Sequence, residues 1–229
     1  MDYLAKRKNF YSQNGEDGII EEILSRIPKS EKNSWCVEFG AWDGKHMSNT
    51  FHLVENAKYD AIYIEGNSEY FEKLIITADE YKGIHPILAM VSPKNDENCL
   101  DAILAKTELP QDYDVLSIDI DTYDLDVWSL HLKYRPKVVV IEINSGIAPG
   151  ILEWHRTGNR GNSFSATLQV GLQKNYTLLS HTGNMVFVDN AYLHRMDMDP
   201  LDIAFPERLF TLDYEFERVR PRSKKFWKN

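Results

Sequence analysis

The feature that most limits what this chain can fold into is its regular alternation of short apolar runs with longer amphipathic stretches. Residues 35–39, 61–65, 86–91, 115–120 and 138–143 read as strands. They are short and rich in β-branched residues, as parallel strands buried on both faces are. Helices are expected between them. In 16–27, Ile19, Ile20, Ile23, Leu24 and Ile27 share one face. Weaker helical patterns cover 48–57, 68–81, 97–106, 124–132 and 163–174. Such alternation predicts an α/β fold, a parallel sheet with helices on both faces. The ending differs. Runs 176–180 and 185–188 are separated only by His181-Thr182-Gly183-Asn184, too few residues for a crossover. A hairpin is expected there, with one antiparallel strand in an otherwise parallel sheet.

With 229 residues, 43% of them hydrophobic, the chain can bury a core without staples. One domain over 1–229 is expected, with a helical entry over about 1–34 and a basic tail over about 218–229. Cys36 and Cys99 are the only cysteines. Two so far apart make neither a disulfide framework nor a zinc site. Cys36 reads as a small buried hydrophobe, and a reducing, cytoplasmic setting is expected. No run approaches the roughly 20 apolar residues of a membrane span. The first eight residues lack the apolar segment of a signal peptide. The net charge of −9 argues against a nucleic-acid binder. Six basic residues between 218 and 228, with Phe226 and Trp227, read as a solvated tail or as a contact for an anionic substrate or surface.

Two signals carry chemistry. In Val37-Glu38-Phe39-Gly40-Ala41-Trp42-Asp43-Gly44 an apolar strand runs into a glycine-rich turn. Glycine lets backbone approach a ligand at the carboxyl end of a strand, where open α/β sheets bind ligands. The spacing is not the G-x-G-x-x-G dinucleotide fingerprint. The second signal is Glu65, last in the second strand and followed by Gly66-Asn67. An acid at that place accepts hydrogen bonds from ribose hydroxyls in Rossmann-type sites.

Tyr11-Ser12-Gln13-Asn14-Gly15-Glu16-Asp17, the 37–44 turn, Ser48-Asn49-Thr50, Leu116-Ser117-Ile118-Asp119-Ile120-Asp121 and Asn184–Val188 together resemble the FkbM-type family of methyltransferases. The resemblance runs from about residue 10 to about 190. It implies a Rossmann-like class I methyltransferase domain, with a mostly parallel seven-stranded sheet ordered 3-2-1-4-5-7-6. It implies S-adenosylmethionine as cofactor. Gln13 and the Glu38–Gly44 turn, with Gly40, Asp43 and Gly44, would hold the methionine half. Glu65 would hold the ribose, Met90 and Val91 would flank adenine, and Asp119 would accept from the amino group. Asn49 and Asn67 are counted with the cofactor set. In one place the chain departs from the family, which often has an acid followed by glycine after the first aspartate of the fourth strand. Here Asp121 is followed by Thr122.

Side chains alternate along a strand, so Asp119 and Asp121 are expected on one face, and Glu142 and Asn144 on one face of the next strand. Close carboxylates repel unless one is protonated or a cation joins them. Three readings follow. Asp121, Glu142 and Asn144 ligate a hard cation such as Mg²⁺ or Mn²⁺, or Asp121 acts as a general base without metal, or these side chains serve in ordinary capping and hydrogen bonding. The polar, glycine-rich stretch 145–163 reads as a substrate lid. His155 within it is a second candidate base. Arg156 and Arg160 are candidates for pairing with a substrate phosphate. His181, in the hairpin, reads as structural. The function expected from the resemblance is methylation of a sugar hydroxyl, with a sugar or nucleotide-linked sugar as substrate. An amine acceptor is the alternative, and a non-catalytic cofactor-binding module is the rival of another class.

Overall fold

Seven strands pair in one sheet: β1 (Trp35–Phe39), β2 (Asp60–Glu65), β3 (Ile84–Leu88), β4 (Val115–Ile118), β5 (Val138–Glu142), β6 (Tyr176–His181) and β7 (Asn184–Asp189). The computed structural model describes residues 1–30, 32, 34–158 and 160–212. The strand order is β3-β2-β1-β4-β5-β7-β6. β1 pairs in parallel with β2 and β4, β2 with β3, and β4 with β5. β7 runs antiparallel to both β5 and β6. This is the seven-stranded, Rossmann-like topology expected from the sequence. The hairpin turns through Thr182 and Gly183, and Gly183 takes φ +89°.

The helices are α1 (Glu16–Arg26), α2 (Phe51–Ala57), α3 (Ser68–Glu80), α4 (Leu100–Leu104), α5 (Asp124–Leu130), α6 (His155–Gly158), α7 (Phe164–Gln173) and α8 (Pro200–Ala204). Strand alternation sorts the core into two layers. Val37, Phe39, Leu116, Ile118, Val139 and Ile141 pack on one side with residues of α4, α5 and α7. Cys36, Ala61, Tyr63, Val138 and Val140 pack on the other with residues of α1, α2 and α3. No helix among the described residues is long and apolar enough to cross a membrane.

Several boundaries differ from the expected ones, α4 among them at 100–104 rather than 97–106, and three have a clear physical reason. β3 starts before Pro86 and runs 84–88 rather than 86–91. It is an edge strand, where a missing proline N–H is tolerated. α2 begins at Phe51, not residue 48. The hydroxyls of Ser48 and Thr50 turn instead toward Glu38. β4 ends at Ile118, not 120. The carboxylate of Asp124 draws the next two turn amides out of the ladder, accepting from Ile120 N at 2.7 Å and Thr122 N at 3.0 Å. The basic stretch 218–228 lies outside the described residues.

Candidate active site

Register brings the carboxyl ends of β2, β1, β4 and β5 to one edge, with Phe39 level with Ile64 and Ile118, and Ile118 level with Ile141. A cavity of about 710 Å³ opens there. Its walls include Gln13, Glu38, Gly40, Glu65, Asn67, Met90, Val91, Asp119 and Asp121. Gly40 has φ +78°, and a Cβ there would lie 1.8 Å from the carbonyl oxygen of Asp119. Only glycine lets the turn after β1 pass this close to the turn after β4.

Glu65 is buried, and each of its carboxylate oxygens takes one backbone amide. Oε2 accepts from Trp42 N at 2.8 Å and Oε1 from Asn67 N at 2.7 Å. The carboxylate is thereby fixed in direction at the cavity wall, with lone pairs left for a ligand hydroxyl. Trp42 sits at φ +48°, an uncommon conformation for a bulky residue, held by that bond. Its ring packs near Tyr70 (5.5 Å) and His46 (4.9 Å), and all three line the cavity. Glu38 accepts from Ser48 Oγ at 2.8 Å and from Thr50 Oγ1 and N. Burial raises its carboxyl to about 7.

Gln13 reaches the cavity because the segment before α1 is clamped. Asp17 Oδ2 accepts from the amides of Phe10, Tyr11 and Ser12 and from Ser12 Oγ. Glu16 Oε1 accepts from Thr182 Oγ1 and Asn184 Nδ2, tying the segment to the β6–β7 hairpin, while Oε2 accepts from Asn14 N. Asn9 Nδ2 donates to the Gln13 carbonyl at 2.8 Å.

The acids converge, though not by strand alternation. Both Asp119 and Asp121 lie past the end of β4, and Asp121 takes φ +62°. Asp119, Asp121 and Glu142 can offer oxygens that all lie within 4.8 Å of one another. Burial and the neighbouring carboxylates of Glu142, Asp124 and Asp121 push Asp119 far above the carboxylate range. Glu142 is raised as well, by burial first and then by Asp121 and Asp124. Close approach of the three carboxylates thus disfavours full ionisation of the group, Asp119 above all. Asn144, expected as the third ligand, is engaged within its own loop. Its Nδ2 donates to Arg160 O at 2.5 Å and its Oδ1 accepts from Gly146 N at 2.8 Å.

A second cavity, of about 460 Å³, adjoins the first and shares Asp121 and Glu142 with it. Asp124, Asn144, Ser145, His155, Arg160 and Asn162 also line it. His155 packs its ring edge-on to Tyr123 at 5.2 Å. Its buried Nδ1 has no hydrogen-bond partner. Both arginines proposed for a phosphate are engaged in ion pairs. Arg156 pairs with Asp126 at 2.9 Å and lies over Trp154, and Arg160 pairs with Glu153. His181 is buried between Ser145 and Thr211 and stacked on Phe210, so its role is structural as expected.

Three residues of the expected cofactor set support the cavity from outside its lining. Asp43 Oδ1 caps the turn by accepting from Lys45 N and His46 N. Gly44 is pressed against Leu74 and Tyr63. Asn49 donates to Ser117 Oγ beneath β4. The sequence reading missed Asp124 and Asn162. The signal for Asp124 was an acid at the start of a helix directly after the acid-rich strand end.

No family model matches the chain, and no curated protein matches its sequence. Among solved structures the chain is similar to the CMeT domain of the citrinin polyketide synthase. The two share 11% identity over 76% of this chain and 50% of that one, with a TM-score of 0.50. It is also similar to the CurJ carbon methyltransferase, at 13% identity over 75% of this chain and 52% of that one, again with a TM-score of 0.50. The chain spans about half the length of these two structures. Likeness at such identity establishes the fold. The fold shared with these two methyltransferase structures is Rossmann-like, a mostly parallel α/β sheet in which β7 runs antiparallel.

Proposed function

We propose that the chain transfers a methyl group from S-adenosylmethionine to a hydroxyl of a sugar. The observation that carries the cofactor half is the 710 Å³ cavity at the carboxyl edge of the sheet, with Glu65 held rigid on its wall. The donor set fits the group. Glu65 would receive the ribose hydroxyls, with Asn67 beside it. Met90 and Val91 would flank the adenine. Gln13, Glu38 and the Gly40 turn would surround the methionine half, and Asp119 would take its amino group. When bound, the cofactor supplies an electrophilic methyl on a positively charged sulfur. The chain aligns the acceptor and takes its proton.

The acceptor half rests on the resemblance to FkbM-type methyltransferases and on the polar second cavity. Asp121 lines both cavities, and His155 lines the second. Either can receive the proton of an attacking hydroxyl. A divalent cation such as Mg²⁺ or Mn²⁺ held by Asp119, Asp121 and Glu142 is the other route to the same end, since it would acidify and direct the hydroxyl. An amine acceptor is the second reading. It is favoured by the acids on the shared wall and by the pairing of both lid arginines with carboxylates.

The test is S-adenosylhomocysteine release over a panel of sugars and amino-sugars, with product mass spectrometry. Turnover with a sugar and a mass gain on oxygen is the expected result. A product methylated only on nitrogen supports the amine reading, and cofactor binding without turnover on any acceptor supports a non-catalytic module. In the same assay, loss of turnover with EDTA and recovery with Mg²⁺ or Mn²⁺ would establish the metal route. Turnover indifferent to EDTA would leave Asp121 or His155 as base.

A further inference from the structure

Asn162 is 2% exposed and was not marked by any motif in the sequence. Its side-chain amide is used at both ends. Nδ2 donates to the carbonyl of Thr122 at 3.2 Å, in the loop that carries Asp119 and Asp121. Oδ1 accepts from the amide of His155 at 3.0 Å, at the start of α6. Its own carbonyl accepts from Asn144 N at 2.9 Å, just past β5. The amide can point only one way, because one partner is a carbonyl and the other an N–H. No other side chain of this length both donates and accepts there.

The two segments it joins border different cavities. Thr122 lines the larger one, His155 the smaller, and Asp121 stands in both walls. The Thr122 side is otherwise held by the carboxylate of Asp124. The His155 side is closed at its neck by Ser163, whose N donates to Glu153 O, whose Oγ accepts from Glu153 N and whose Oγ donates to Ile151 O. Each segment is therefore braced by itself, and Asn162 is the bolt between them, supported by the edge contact of Tyr123 with His155.

We propose that Asn162 is a positioning residue that couples the acid-bearing loop 119–123 to the His155 segment, so that occupation of the cofactor cavity orders the acceptor side. The coupling rests on the methyltransferase reading; the physical tie does not. Asn162→Asp separates its two bonds. It keeps an acceptor for His155 N and sets a carboxylate against the Thr122 carbonyl.

Amide hydrogen exchange, read by mass spectrometry at residue level, tests both parts. Without ligand, Asn162→Asp should exchange the Ile120 and Thr122 amides roughly two- to tenfold faster, as loss of one buried hydrogen bond implies. Unchanged exchange there overturns the tie. With saturating S-adenosylhomocysteine, the wild type should slow exchange in both 119–123 and 153–162. The variant should bind up to about tenfold more weakly, since the looser loop must be ordered on binding; at saturation it should keep the slowing in 119–123 and lose it in 153–162. A purely structural role would loosen 153–162 without removing its response to ligand, so a response that persists in the variant, or is absent in the wild type, overturns the coupling. Should Asn162→Asp fail to fold by circular dichroism, Asn162→Ala carries the same expectations, with faster exchange at the His155 amide added. If S-adenosylhomocysteine does not bind the wild type at all, the coupling falls together with the methyltransferase reading, and the unliganded comparison alone decides whether the tie exists.

Discussion

His181 illustrates how a single buried side chain sets a pH limit on this protein. Its ring is enclosed by Phe164, Phe210 and Ser145, and burial lowers its pKa to about 4. The unfolded chain binds a proton near the ordinary histidine value of about 6.5. Between those values the unfolded state holds the proton and the folded state does not. The stability contributed is therefore complete above the unfolded pKa and is lost as pH falls toward the folded one. Glu38 has the opposite sign. Its carboxyl, raised to about 7, makes the fold less stable as pH rises from the usual carboxylate range to that point. The two are separated by comparing variants. Urea unfolding of wild type should lose on the order of 2–3 kcal/mol more between pH 7 and 4.5 than His181→Gln does. Parallel pH profiles for the two proteins would contradict the assignment.

Among the elements, the segment before α1 is the clearest case of polar side chains building a cavity wall. Four donors converge on Asp17 Oδ2, and Glu16 fastens the same segment to the distant hairpin. Asp17→Ala leaves these donors without their acceptor and should destabilise the protein by about 2–4 kcal/mol. It should also weaken S-adenosylhomocysteine binding, because Gln13 is no longer held at the cavity. Calorimetry and urea titration check both effects. A stability loss with unchanged affinity would remove Gln13 from the site. This motif was legible in the sequence as part of a resemblance, but its division of labour was not. Ser12, Glu16 and Asp17 fold the loop, and Gln13 alone of these lines the cavity. The acids at the end of β4 were legible for a similar reason and misread in detail. Alternation was the argument for Asp119 and Asp121 sharing a face. The strand had already ended, and Asp124 together with a left-handed Asp121 brought them together instead. Tertiary hydrogen bonds of that kind leave no periodic trace in a sequence. Asn162 went unseen for the same reason, since its partners are backbone groups 40 and 7 positions away.

Over the whole molecule, the topology was far more legible than the site. Buried parallel strands must be apolar along their whole length, and a crossover needs a helix, so strand direction is written in hydrophobic spacing, while the strand order came from the family resemblance. The placement of Glu65 was legible on the same terms, since a strand that ends in an acid at the ligand edge of such a sheet has few alternatives. The account stands on what fills the 710 Å³ cavity beside it. Titration calorimetry of the wild type and of Glu65→Ala with S-adenosylhomocysteine is the most direct measurement. Wild type should bind one molecule per chain. Loss of a charge-assisted hydrogen-bonding partner, typically about 1.5–3 kcal/mol, should weaken the variant roughly tenfold to a hundredfold. Absence of binding to the wild type would contradict the methyltransferase reading, and equal affinity in the two proteins would place the ribose away from Glu65.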